Sequence, residues 1–203
     1  GNPLSLRLSA AVVLREEVKP SDVDDLTAYL QSLGVAEKLI QGQLYKRILS
    51  HIHGDDNRVK AIAHPGLVLR RVTPDLILKV LAQPCGIEVP DEETARELFD
   101  ELAREVSLVK QEDGALVHRS DIRRMMLELL RQDEPFKALQ IDSLAVSYYK
   151  NKPGAKNRAE EIYHMLQLGK PTDEIDERWI EGVEPYLRAA VEEVPFNLRH
   201  YLA

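Results

Sequence analysis

The chain has 203 residues, 44% of them hydrophobic and 30% charged, with only 5% aromatic, so it can build a core and does not read as disordered. Its formal net charge is −7, from 27 basic and 34 acidic residues, which weighs against a nucleic-acid binder that works through a basic face. A single cysteine, Cys85, excludes an internal disulfide framework and suits a reducing cytosol, and no apolar run reaches the ~20 residues that a bilayer span needs.

Gly1-Asn2-Pro3 leads into a strongly apolar helix carrying Leu4, Leu6, Leu8, Val12 and Leu14. Proline suits a first helical turn because its missing N–H has no intrahelical partner there. Opening on such a turn is expected of a segment that continues an upstream domain. Pro20-Ser21-Asp22 breaks and recaps the chain, and the helix that follows presents Val23, Leu26 and Leu30 before Gly34 closes it. A third helix is expected from Ala36 to about His53, and Gly54-Asp55-Asp56 caps a short fourth one through Ala63. His64-Pro65-Gly66 is a turn. Leu67-Val68-Leu69 is either a small strand or a helical turn.

Thr73-Pro74-Asp75 combines an N-cap, a proline at the first position and an acid in the first turn, and predicts a helix to about Gln83. Pro90-Asp91-Glu92-Glu93 opens another, with Ala95, Leu98, Phe99, Leu102 and Val106 on one face. The period then changes. Ser107–Lys110 and Ala115–His118 read as the strands of a hairpin around Gln111-Glu112-Asp113-Gly114. Ser120 is the expected cap of a helix to about Leu130. Beyond it, a helix holds Phe136, Leu139, Leu144, Ala145 and Tyr148, and Lys150–Gly154 makes a break. Further helices are expected over 158–168, 172–181 and 184–193. No internal period is evident. The fold class is mainly α: a helical segment over 1–35, a winged helix with one small hairpin over 36–133, and helical hairpins of a TPR-like kind over 134–203.

Signatures of catalysis are sparse. Neither G-x-x-x-x-G-K-[ST] nor G-x-G-x-x-G occurs, so this chain carries no recognisable nucleotide-hydrolysing core. His51 and His53 lie two apart rather than the four that places two ligands on one helix face, and His64 is further on, so no metal site is expected. Cys85 lies in a loop without a neighbouring histidine, and no enzymatic role is assigned to it. The helix before the hairpin, the usual DNA reader of a winged helix, holds seven acids over 91–105 against Arg96 and Arg104. Phosphates would repel it. Arg119, Arg123 and Arg124 form a small basic cluster after the hairpin, explicable by surface pairing such as Arg124 with Glu128.

Gly1-Asn2-Pro3-Leu4-Ser5-Leu6-Arg7-Leu8 resembles the G-x-P motif of STAND-class signal-transduction ATPases, relatives of the NB-ARC proteins. In that family the motif opens a small helical domain after the nucleotide-binding core, and a winged helix and helical or repeat sensor domains follow. The order of segments here is similar. The family also carries a histidine at the end of the wing, within Met-His-Asp, and Val117-His118 looks like that position. Here Arg119 and Ser120 stand between His118 and Asp121, where the family has Asp directly after His. The resemblance implies a non-catalytic regulatory region of a signalling ATPase, with the P-loop domain upstream in the same protein. It implies no cofactor in this chain but ATP or ADP in the whole protein, with Pro3 near the adenine and His118 near the ADP phosphate. It further implies protein partners through the C-terminal helices, homo-oligomerisation on activation and a cytoplasmic location. Two other readings of the residues remain: a DNA-binding winged-helix regulator, and a helical protein-interaction adaptor.

Overall fold

The computed structural model describes residues 57–105, 108–188 and 190–202. The expected helices over 1–53, and with them Pro3, His51 and His53, lie outside the described residues. The described part is mainly helical with one two-stranded antiparallel sheet.

Helix α1 spans Asn57–Ala63 and runs into a 3-10 turn, Pro65–Val68, which settles Leu67-Val68 as helical rather than extended. Thr73 caps α2 by accepting the Leu76 N–H at 3.3 Å, with Pro74 first in the helix, as its sequence foretells. After Pro74–Leu76 the coil widens into a π-helical turn, Ile77–Leu81, in which the Ala82 N–H donates to the Ile77 carbonyl at 2.9 Å. Helix α3, Glu92–Ala103, is capped by Asp91, whose carboxylate accepts from the Thr94 N–H at 2.8 Å. Ala95, Leu98, Phe99 and Leu102 are buried as the spacing predicts, while Glu92, Glu93, Glu97 and Asp100 face solvent.

The hairpin is tighter than expected. Strand β1 runs Val109–Glu112 and β2 Ala115–His118, pairing Val109 with His118 and Glu112 with Ala115. Asp113 and Gly114 alone make the turn, at φ 47° and 70°. Two successive left-handed residues give the turn whose twist matches the strands, so Gln111 and Glu112 join the ladder instead of the loop. Val72 adds a further antiparallel bridge, exchanging two 2.8 Å backbone hydrogen bonds with Leu116. The order is thus helix, bridging residue, helix, helix, hairpin.

Helix α4 begins at Ser120 and extends to Asp133. The cap position falls on Arg119, whose side chain makes no capping bond, so Ser120 is not the cap that its type suggests. Glu134 turns the chain, and α5, Pro135–Tyr149, follows at once. Its buried positions are Ala138, Ile141, Asp142, Ala145 and Tyr149, whereas Phe136 is 86% exposed and Leu139 45%. Helix α6 spans Ala155–Gln167 and packs along α5. The last two expected helices are short: α7 covers Thr172–Asp176 and α8 Glu184–Arg188, separated by Gly182 at φ 84°. Two 3-10 turns, Val191–Glu193 and Phe196–Leu198, lead to α9, Arg199–Leu202.

Ile162, Tyr163, Leu166, Ile175, Val183 and Leu187 form the apolar cluster of the C-terminal helices, which Val194 enters from the 3-10 segment. Among the described residues, no helix is long and apolar enough to cross a membrane.

Candidate functional site

The end of β2 and the start of α4 carry two buried polar residues, His118 and Arg123. His118, the last residue of β2, is only 3% exposed. Its Nε2 lies 3.4 Å from the Ala63 carbonyl at the end of α1 and donates to it in the tautomer that this contact selects. Nδ1 is buried without a partner. A Cβ on Gly66 would meet His118 Cε1 at 3.5 Å, an ordinary packing distance, so the 3-10 turn lies directly against the ring. Burial first, and then the charge of Arg123, push the imidazole down to about 3, so it is neutral at pH 7. In this arrangement the ring is enclosed rather than presented to a ligand.

Arg123 lies one turn into α4 with its side chain 6% exposed, which replaces the expectation of a surface arginine. Its Nη1 donates to the carbonyls of Leu67 and Leu69, the latter at 2.7 Å. Its Nε and Nη2 clasp the Glu193 carboxylate, each at 3.0 Å, and Nη2 also reaches the Tyr163 hydroxyl at 3.0 Å. Tyr163 in turn donates to Glu193 at 3.0 Å. Burial works against this guanidinium's charge, but Tyr163, Glu193 and Glu160 outweigh it and hold the group above its usual value. One planar fork therefore ties the turn after α1, α6 and the 3-10 segment to α4. The side chains of Asp121 and Arg124 lie outside the described residues.

A second buried set lies beside it. Asp142, fully buried on α5, accepts from Arg131 Nη1 at 2.7 Å and contacts His164 Nδ1 at 2.7 Å. His164 Nε2 has no partner and no exposure, so the pair resembles an oriented acid–base dyad but has no route to a substrate. At the outer edge, Asp75 joins Lys79 at 2.7 Å, Tyr148 at 2.6 Å and Lys152 at 3.3 Å. Burial raises the Asp75 carboxyl, but these donors outweigh it and hold the group below the usual range. A groove of about 680 Å³, lined among others by Leu127, Arg131, Gln132, Gln167, Glu193 and Pro195, opens beside the Arg123 clasp.

The remaining candidates are quiet. Cys85 sits in the turn after α2, where burial pushes its thiol up to about 12. His64 Nδ1 lies 3.8 Å from Glu134. No group of three metal-ligating side chains occurs among the described residues. Sequence reasoning missed Glu193, Tyr163, Asp142 and His164. The one available signal was that Asp142 falls on an otherwise apolar helix face. Comparison with known protein families, with curated proteins and with solved structures finds no match for this chain.

Proposed function

We propose that this chain is the non-catalytic regulatory region of a STAND-like signalling ATPase, a winged helix followed by TPR-like helices, which couples the nucleotide state of an upstream P-loop domain to sensing and oligomerisation. The observation that carries the reading is the order of elements up to His118. Helix α1, the Val72 bridge, α2, α3 and the hairpin follow one another, and Val72 pairs with β2 to complete a small wing. That order supports a winged helix, and a histidine closes the wing where the resemblance places one. The exposed acids of α3 argue against DNA as its partner, since a reading helix must approach phosphates.

The latch works by differential binding. ADP held by the upstream domain and touched by Pro3 and His118 stabilises the closed packing, and exchange for ATP removes that bias. The enclosed ring sets a condition. A phosphate reaches His118 only where the Ala63–Gly66 side of the imidazole opens, so the ADP-bound arrangement differs locally from the one described here.

The isolated chain is expected neither to hydrolyse ATP nor to bind ADP in the micromolar range. In the full protein, His118→Ala removes one hydrogen bond to a charged group, worth ~1.5–3 kcal/mol, and ADP release accelerates roughly ten- to hundredfold. An unchanged ADP off-rate takes His118 out of the latch. Micromolar nucleotide affinity in the isolated chain overturns the assignment of the nucleotide site to an upstream domain.

A further inference from the structure

The Arg123 clasp has an uneven construction. Arg123 and Tyr163 come from long helices and are almost wholly enclosed, with Tyr163 at 0% exposure. The carboxylate that neutralises Arg123 and accepts from the Tyr163 hydroxyl comes from Val191–Glu193, a three-residue 3-10 turn on the C-terminal strap. Glu193 keeps 18% of its side chain exposed and lines the groove. Its neighbour Val194 is 1% exposed and seated in the apolar cluster. The strap thus docks through one acid in a polar socket and Val194 in the apolar cluster, with Leu198, Tyr201 and Leu202 partly buried against the same cluster.

The strap makes further polar contacts along its length. Gln167 donates to the Glu193 carbonyl at 2.8 Å, and Tyr201 donates to Asp176 at 2.5 Å. Arg199 bonds the carbonyls of Glu192 and Val194, which keeps the strap's own shape. A planar guanidinium with a tyrosine hydroxyl beside it is a carboxylate receptor by chemistry, whichever chain supplies the carboxylate.

We propose that Arg123 and Tyr163 form a carboxylate-binding site which the chain's own Glu193 fills, and that an acidic peptide of a partner protein takes the same place when the strap Val191–Leu202 lifts. The strap is an autoinhibitory contact. An emptied site leaves a buried arginine without a counter-ion, which is strongly unfavourable, so the lifted strap accumulates only when another carboxylate replaces Glu193. Release and partner binding are then one linked equilibrium. The groove supplies the approach, with Gln132 and Gln167 able to hydrogen-bond a peptide backbone. Glu128 and Glu192, also on the groove, repel a run of acids. The fitting motif is a single glutamate followed by a branched apolar residue, as in Glu193-Val194 itself. The inference stands apart from the nucleotide reading, since none of its residues is assigned a nucleotide contact.

The test uses the full chain and a synthetic peptide of residues 190–198. Trp179, the single tryptophan, lies 5.9 Å from the Tyr201 ring of the strap and reports docking by fluorescence. In Glu193→Gln the expected result is about tenfold faster amide exchange in the strap, a shifted Trp179 emission and unchanged protection of α3. The peptide should bind this variant about tenfold more tightly than it binds the wild type, and the peptide carrying Glu193→Gln should lose that affinity. Equal binding of both peptides shows that docking is apolar only, and absence of binding shows that the site takes no external carboxylate; either result overturns the proposal. Should Glu193→Gln also unprotect α3, Tyr201→Phe loosens the strap away from the clasp. Peptide binding to that variant no tighter than to the wild type overturns the proposal equally.

Discussion

Replacing Arg123 by methionine keeps most of the side chain's length and removes its charge and donors. The carbonyls of Leu67 and Leu69 lose the guanidinium, and Glu193 loses its counter-ion. Removing one member of a buried ion pair costs ~3–5 kcal/mol, and an orphaned buried acceptor ~1–3 kcal/mol. Part of this is recovered, because Glu193 lies on the groove and can turn to water, and Tyr163 still donates to it. The expected net loss is therefore about 3–5 kcal/mol, against a total stability on the order of 5–15 kcal/mol. For a chain of this size that lowers the midpoint of thermal unfolding by roughly 6–20 °C. Urea titration followed by the helical circular dichroism signal measures it. Arg123→Lys should fall between, since an ammonium keeps the charge but cannot span carbonyls, hydroxyl and carboxylate together. The double variant Arg123→Met with Glu193→Leu removes both charges and should recover about 2 kcal/mol relative to the sum of the single changes. A loss below about 1 kcal/mol for Arg123→Met, or strict additivity in the double variant, would refute the reasoning that the clasp is a buried, mutually dependent pair.

Two further outcomes follow from the buried titratable groups. The folded His118 imidazole lies near 3 and its unfolded value is 6.5, so below pH 6.5 the unfolded chain binds a proton that the folded chain refuses. Its contribution to stability is therefore present above pH 6.5 and is lost as pH falls from there toward 3, with a slope of up to about 1.4 kcal/mol per pH unit. His118→Asn should flatten that part of the stability profile, and an unchanged slope contradicts the burial argument. Cys85, pushed up to about 12, holds roughly one thiolate in ten thousand at pH 8. Iodoacetamide labelling of the folded chain, followed by mass spectrometry, should be about a thousandfold slower than that of free cysteine, and labelling at the free rate would refute the shift.

What the sequence disclosed is what local chemistry decides. Thr73-Pro74-Asp75 and Asp91 mark helix starts because capping needs only partners three residues away. Asp113-Gly114 marks the hairpin because two left-handed residues are confined to a few residue types. In α5 the pattern is silent on the inner face. Phe136, Leu139, Ile141, Leu144, Ala145, Tyr148 and Tyr149 wrap around the whole helix, so spacing could not choose the inner face. Pro135 and the turn at Glu134 set the phase, burying Ala138, Ile141 and Ala145. The clasp was illegible for a different reason. Arg123 and Glu193 are 70 residues apart, and Asp142 and His164 are 22 apart. Nothing around Arg123 or Glu193 distinguishes a buried ion from a surface one until the helices are packed.

The proximity of Arg123 to His118 connects the two ends of the described structure. The arginine's charge is the second cause, after burial, of the depressed imidazole, and Glu193 is what balances that charge. Withdrawal of the Glu193 carboxylate with no other in its place leaves the guanidinium less compensated and makes protonation of His118 harder still. An emptied clasp therefore favours the neutral ring, whereas a clasp filled by Glu193 or by a partner's carboxylate opposes protonation less. This sign matters for the latch: a neutral imidazole offers a phosphate one hydrogen bond and no charge, so lifting the strap cannot strengthen phosphate contact at His118 through electrostatics. If strap and nucleotide are linked, the link runs through packing, along the Leu67 and Leu69 carbonyls that Arg123 holds beneath the same turn that covers the histidine. A cycle of His118→Ala and Glu193→Gln, read as ADP off-rate in the full protein, separates the cases. Independent effects place the clasp outside the latch, and a coupling above about 0.5 kcal/mol places the Gly66 turn between them.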